Sequence, residues 1–375
     1  MNEKLKRIIY VVLGCFVLFF VVILLISSCG KKLKPDGLEK KIIERSKNYY
    51  STHKDELPKE NTSLTLSLDD LVNKKIIKKL DRLLDKNTTC TGMLTIENNN
   101  NYYMYSPNIN CNTGNDIYNT LNLKETLLEN VVTSGNGLYS IGDSYFFRGD
   151  NLNNYLVFDG LLWRIVKIND DGTIKVIEAG KRDPVVWDDR YNSETTSSTG
   201  INDYTNNNIN SRIKDELDKI YQTKQVLTSD AKGYIKQTSL CIGKRGLEDT
   251  TNDGSIECSS RLDKQYLGLL QLNEYITASL DPNCVNANSI SCSNYNYLAS
   301  FKNSYWTITA NKDKSSQVYK INDTVMATGA SNSGMARIVI NLSENTNVTG
   351  TGTENDPYVV LGMSKDIKKI KEIGL

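Results

Sequence analysis

One histidine, eight cysteines and a short Trp-Asp-Asp-Arg run limit the chemistry this sequence can carry. His53 stands alone, so no histidine-based metal cluster can be assembled, and a Ser-His-Asp relay would have to be built on that one ring. The serines of Gly329-Ala330-Ser331-Asn332-Ser333-Gly334 lack the G-x-S-x-G spacing of a nucleophile elbow and have no neighbouring base, so the stretch reads as a loop. Asn169-Asp170-Asp171-Gly172 and Thr251-Asn252-Asp253-Gly254 use calcium-loop residue types. Neither has the D-x-[DN]-x-[DN]-G register with its closing glutamate, so both read as turns. Arg148-Gly149-Asp150 has the composition of an integrin-recognition tripeptide. It lies between the apolar runs 145–147 and 155–158, where Gly-Asp-Asn is ordinary turn punctuation. No catalytic constellation emerges, the chain reads as non-enzymatic, and no metal or cofactor is called for. The run that suggests recognition is Trp187-Asp188-Asp189-Arg190, in a long polar loop. An aromatic exposed among charges is a binding surface in many proteins; the other reading is a tryptophan covering the domain's edge. Trp163 and Trp306 lie in apolar strands and read as core.

The cysteines fall into two sets. Cys15 and Cys29 belong to the N-terminal region; Cys90, Cys111, Cys241, Cys258, Cys284 and Cys292 lie in polar sequence beyond it. Zinc sites favour close pairs such as C-x-x-C, and none occurs. Proximity along the chain suggests Cys90–Cys111, Cys241–Cys258 and Cys284–Cys292, each closing a loop rich in Asn, Ser, Thr or Gly, where a crosslink helps most. Free thiols are the alternative. An even count in polar loops favours disulfides and an extracytoplasmic compartment.

The N-terminus explains how such a chain is held. After the basic start MNEKLKR, residues 8–26 are uncharged and apolar. As a helix at about 1.5 Å per residue the run would span roughly 28 Å, near the hydrocarbon thickness of a bilayer. Ile26-Ser27-Ser28-Cys29 resembles a bacterial lipobox, so a retained transmembrane helix and a cleaved signal with lipidation at Cys29 both remain open. Either makes membrane lipid a partner, single-pass or lipid-anchored, with the bulk of the chain extracytoplasmic. Lysines flank the run on both sides, so the positive-inside rule does not orient it; the cysteines do. Net charge is +1, which gives no field to attract nucleic acid.

The elements follow from periodicity. Residues 37–57 predict a helix stopped by Pro58, then a short strand and a helix capped near Ser67 with Asp69 and Asp70 in its first turn. A hairpin over 93–105, bracketed by Cys90 and Cys111, follows. Residues 113–138 read as a linker with a small helix. A meander then runs through 155–158, 161–168 and 173–178, turned at Asp159-Gly160. Ile209, Ile213, Leu217 and Ile220 mark a helix over 208–221, and 269–280 a second. Strands are expected around Trp306, on both sides of Asn322-Asp323, and over 336–342.

The order of anchor, helix with the Tyr49-Tyr50 pair, Leu57-Pro58, short helix and cysteine-bracketed hairpin resembles the pilin and pseudopilin layout of low-GC Gram-positive bacteria, although the prepilin-peptidase signature is missing. Farther on, FDGLLWRIVKI (158–168), INDYTNNNINSRIKDEL (201–217), LGLLQLNEYITASL (267–280), SYWTITA (304–310), MARIVINL (335–342) and GTGTENDPYVV (350–360) together resemble a bacterial surface-domain family. That family is similar to the C-type-lectin-like fold of formylglycine-generating enzymes and retroelement-diversified receptors. The resemblances imply an α+β chain: a membrane anchor (1–30) with a transmembrane helix, a small pilin-like α+β domain (37–112), a linker (113–138), a C-type-lectin-like mixed domain with antiparallel strands and two helices (139–362), and a basic tail (363–375). They imply a membrane-anchored surface protein presenting a lectin-like head to a glycan, cell-wall or protein ligand. The alternatives are a pilus-like structural subunit and a formylglycine-generating-like enzyme.

Overall fold

The computed structural model describes residues 32–194, 199–223, 226–301, 303–364 and 366. The expected N-terminal span at 8–26, Cys29 and nearly all of the basic tail lie outside them. Among the described residues no helix is long and apolar enough to cross a membrane.

Two hydrophobic clusters organise the molecule. The first is built on α1 (Pro35–Thr52), whose Leu38, Ile42, Ile43 and Tyr50 face a four-stranded antiparallel sheet. The sheet order is β1 (Ser63–Ser67), β2 (Thr89–Asn99), β3 (Tyr102–Asn112) and β4 (Ile117–Asn119). Ser67 ends β1 and caps α2 (Leu68–Asn73). Its hydroxyl accepts from Asp70 N at 3.1 Å, and Asp70 Oδ2 accepts from Ser67 N at 2.9 Å, a reciprocal capping box. The one-turn helix α3 (Leu80–Leu83) closes this lobe. The β2–β3 hairpin is longer than its apolar pattern suggests, because polar residues on its outer face still complete the ladder. Asn100 and Asn101, both at positive φ, form its turn.

The larger lobe opens with β5 (Leu121–Asn122) and α4 (Leu123–Leu128), whose Leu123 and Leu127 are buried in the second cluster. The stretch expected as a linker therefore contributes to the core. Strands β6 (Gly137–Ile141), β7 (Ser144–Arg148), β8 (Tyr155–Phe158), β9 (Leu161–Ile168) and β10 (Ile174–Glu178) join a nine-stranded sheet. Its main path runs Val339–Leu342, β10, β9, β8, Tyr358–Val360, Asn347–Thr349 and β5. Asp159 and Gly160 both take positive φ, as a type I′ turn requires. A six-stranded sheet centred on Tyr305–Asn311 packs with it, and α5 (Arg212–Gln222), α6 (Ser229–Lys232) and α7 (Leu272–Ala278) fill the connections.

This overturns the expected fold class. Strand takes 36% and helix 21%, so the molecule is predominantly β, with seven α-helices among the described residues, all but α1 of 11 residues or fewer. The helices expected at 208–221 and 269–280 form, but over 11 and 7 residues, joined in the same lobe by α4 and α6. Asn-, Asp- and Gly-rich turns reverse the chain every few residues and favour ladders over long helices. The three disulfides are Cys90–Cys111, Cys241–Cys258 and Cys284–Cys292.

Candidate functional site

The residues expected to bind a ligand are not arranged for it. Trp187 is fully buried in the larger core, donates from Nε1 to Thr307 O at 3.3 Å, and packs 6.1 Å from Tyr204. Asp188 is also fully buried, and its carboxylate accepts from Arg190 Nε at 2.9 and 3.0 Å. Asp189 turns to solvent and pairs with Arg212 at 3.0 Å, which holds its carboxyl below the usual range. The run is thus an anchor buried at Trp187 and Asp188, with one ion pair inside it, Asp188–Arg190, and one exposed pair, Asp189–Arg212. A polar loop can still bury its tryptophan when the loop folds back over the sheet, and this one does. Trp163 and Trp306 are core residues, as their strands suggest.

The other sequence candidates resolve as structure. Arg148 donates to Thr277 O and Ser279 O, each at 2.8 Å, and lies 5.1 Å over the Tyr139 ring. Gly149, at φ 113, bridges to Asn296, so the Arg-Gly-Asp tripeptide is bound into the fold. His53 stacks on Tyr49 with ring centroids 4.0 Å apart and closes the end of α1. Gly172 N donates to Asn169 O at 2.9 Å, and Asp171 Oδ1 accepts from Thr173 N at 2.9 Å, a self-contained turn.

Chemistry converges elsewhere, in a cleft of about 550 Å3 between the nine-stranded sheet, α7 and the Cys241–Cys258 loop. The sheet supplies the floor. Lys175 on β10 stands opposite Lys167 on β9 and, on its other side, opposite Asn341. Directly opposed residues point to one face, so the three lie in a row. Asn169 Nδ2 donates to Asn341 Oδ1 at 2.8 Å and fixes the row's end. From α7, Glu274 reaches this row while fully buried. Its Oε1 lies 2.5 Å from Lys175 Nζ and 3.2 Å from Lys167 Nζ, and its Oε2 accepts from Gln271 N at 3.1 Å.

Two ammonium groups against one carboxylate decide the protonation states. Burial alone would raise the Glu274 carboxyl, but Lys175, Lys167 and the Gln271 N–H together hold it below the usual range. Burial pushes the Lys175 ammonium down to about 8, against the pull of Glu274. Lys167 lies 4.9 Å over the Phe146 ring.

The walls carry unsatisfied acceptors. Asn273, next to Glu274 on α7, lines the cleft at 3% exposure, and its Oδ1 is buried without a hydrogen-bond partner; so is Oδ1 of Asn252 in the disulfide loop. Such atoms are uncommon in folded proteins. The loop that carries Asn252 is held from beneath by a fully buried pair: Arg245 Nε donates to Glu257 Oε1 at 2.8 Å, and Glu257 Oε1 also accepts from Asn273 N at 3.1 Å. Arg245 further donates to Asp249 O and Thr251 O. Loop and α7 are thereby locked in one position.

Of these residues the sequence drew notice only to Asn252, as part of the Thr251–Gly254 turn and not as a binding group, because Lys167, Lys175, Asn252, Asn273 and Glu274 meet only through the sheet register and the loop lock. The usable signal was the disulfide loop itself, which the cysteine spacing marks. No family model, curated protein or solved structure matches the chain.

Proposed function

We propose that this chain is an extracytoplasmic binding protein, held at a membrane through its apolar N-terminal segment, that takes a small polar ligand of the glycan or cell-wall-fragment class into the cleft beside α7. The observation that carries the reading is the buried Asn273 Oδ1, a cleft-lining acceptor without a partner, set next to a Lys-Glu-Lys floor. A buried acceptor of this kind costs about 1–3 kcal/mol while empty, and a ligand O–H or N–H recovers it. The cleft is large enough for a sugar or two, and its lining mixes apolar side chains with polar groups that can fix a ligand's orientation. The three disulfides support an oxidising compartment, and the uncharged run 8–26 supports a membrane tether.

Calorimetric titration of the detergent-solubilised chain with a panel of glycans and wall fragments tests this. At least one member binds, and Asn273→Ala weakens it about tenfold or more without lowering the melting temperature of the free protein. A panel without a binder, or binding indifferent to Asn273→Ala, rejects the cleft as the site. For placement, a membrane-impermeant thiol reagent should label intact expressing cells only after reduction; labelling only after lysis rejects the extracytoplasmic reading.

A further inference from the structure

We infer that the cleft recognises an uncharged sugar through two neighbouring ring hydroxyls, one donating to Asn273 Oδ1 and the other accepting from Asn273 Nδ2. The inference rests on the reading of the cleft as the ligand site and gives that ligand its chemistry.

The charges around the cleft do not ask for a charged ligand. Lys175 and Lys167 are engaged by Glu274, at 2.5 and 3.2 Å, and Asp171 adds to the negative field at Lys175. Asp143, Asp170, Asp171, Asp253 and Arg261 lie on exposed lining, where water and salt screen them. Asp171 and Asp253 also accept from backbone N–H groups of their own turns, each at 2.9 Å. What is buried and unmet is neutral. Asn273 lines the cleft at 3% exposure, yet its side-chain amide makes no hydrogen bond among the described residues; the residue bonds outside its helix only through its backbone N, to Glu257 Oε1 at 3.1 Å. Beside Nδ2 stands Gly254, at φ 87. A Cβ there would lie 3.0 Å from that nitrogen, so glycine keeps the space next to the amide open.

A side-chain amide sets one acceptor and one donor side by side, and its complement must do the same. A carboxylate has only acceptors and leaves Oδ1 unmet; an ammonium has only donors and leaves Nδ2 unmet. Two hydroxyls on adjacent ring carbons meet both, since each can donate or accept. Asn252 Oδ1, on the disulfide loop, also lacks a partner and takes the donor of a third hydroxyl. Leu269, Ile308 and Val339 line the same cleft and offer an apolar wall to the C–H face of the ring. They adjoin the start of α7: Ile308 N donates to Leu270 O and Gly268 N to Val339 O, each at 2.9 Å. A cleft of about 550 Å3 holds such a ring with room for a second.

The test uses the full chain in detergent micelles, titrated with the methyl glycosides of glucose, mannose and galactose, the monodeoxy forms of whichever binds, and glucuronate, glucosamine and acetamide. Removing either of two adjacent hydroxyls should weaken binding about tenfold or more, because a buried polar group is then left unpaired, and removing the others should cost less. In Asn273→Ala the parent sugar should bind as weakly as those two deoxy forms, and the two losses should shrink below about twofold. Asn273→Asp, which keeps the acceptor and drops the donor, should stay sensitive to one hydroxyl of the pair and become indifferent to the other. The deoxy series on the parent protein decides the matter even where a variant does not fold. Losses confined to no adjacent pair, or losses that persist in Asn273→Ala, overturn the inference but leave the cleft as a glycan site. So does glucuronate or glucosamine binding about tenfold tighter than the neutral glycoside. Acetamide binding as tightly as the sugar overturns the hydroxyl pair. No binding of any member overturns both readings.

Discussion

At the scale of single residues, the buried Lys-Glu-Lys group makes the sharpest claims. Glu274→Gln removes the anion that the buried Lys175 and the part-exposed Lys167 share, and losing one partner of a buried pair costs about 3–5 kcal/mol. Equilibrium urea unfolding should show that loss; a change below about 1 kcal/mol would mean that water already screens the group. The pH dependence has a definite sign at both ends. The folded Glu274 carboxyl sits below the unfolded value of 4.5, so its contribution is complete above that pH and is lost as pH falls through the folded value. Lys175 is the reverse of a stabilised lysine. Its folded value of about 8 lies below the unfolded 10.5, so the unfolded chain holds a proton that the folded chain has released. Stability should therefore rise between pH 8 and about 10, by at most about 1.4 kcal/mol per pH unit. Unfolding curves at pH 7.5, 8.5 and 9.5 measure it, and a flat or falling profile contradicts the burial of that ammonium. Such effects were invisible in the sequence. Lys175 is an ordinary lysine in a strand until the fold brings Glu274 to it, and Trp187 reads as exposed until its loop folds inward. Burial is a property of tertiary structure, and polar neighbours along the chain say little about it.

At the scale of elements, much more was legible, because turns and crosslinks are local. Asp159-Gly160 and Asn322-Asp323 marked hairpins that form where expected, and Ser67 with Asp70 marked a cap that both residues complete. The cysteine pairing followed from proximity: Cys90 and Cys111 stand directly opposite each other on β2 and β3. Strand lengths and the incorporation of residues 113–138 were not legible, since both depend on edges supplied by distant strands. The crosslinks should rank by the loop each closes. Sequence separations are 21, 17 and 8, and the loop-entropy relation gives about 3.3, 3.1 and 2.5 kcal/mol for their removal. Paired Cys→Ser variants, compared by denaturant midpoint, should keep the Cys284–Cys292 variant as the mildest; if it is the most damaging, strain or burial rather than loop closure governs. The β2–β3 hairpin has its own weak point at Gly92, held at φ 141 with Asn108 O only 2.2 Å from where a Cβ would stand. Gly92→Ala should cost about 2 kcal/mol or more, because both the backbone conformation and the close approach exclude a side chain. A variant as stable as the parent would place the strand differently.

At the scale of the whole molecule, the question is whether the two lobes act as one body. Their sequence spans suggest separate units, but the clusters exchange residues: Leu361, near the end of the described chain, is buried in the α1 cluster, and Met104 of β3 belongs to the larger one. The tip of the β2–β3 hairpin docks on the larger lobe through polar groups. Buried Glu97 accepts from Lys236 at 3.0 Å and Ser343 at 3.2 Å, and also from Asn345. Asn99 accepts from the same Lys236 at 3.0 Å and donates to Gly233 O. Farther along β3, Asn347 donates to Pro107 O at 2.7 Å. These bonds join segments that also reach the cleft: Lys236 adjoins the wall at 237–241, and Asn345 follows the strand bearing Asn341. The lobe nearer the proposed tether thus braces the lobe that holds the cleft, so a single calorimetric unfolding transition is expected. Gly233 is the place to break it, because a Cβ there would lie 2.6 Å from the Tyr103 carbonyl carbon and oxygen. Gly233→Ala should push the hairpin off and split the transition in two, the earlier one belonging to the α1 lobe. Two transitions already present in the parent would show that the lobes melt independently and that the contacts between them hold orientation without sharing stability.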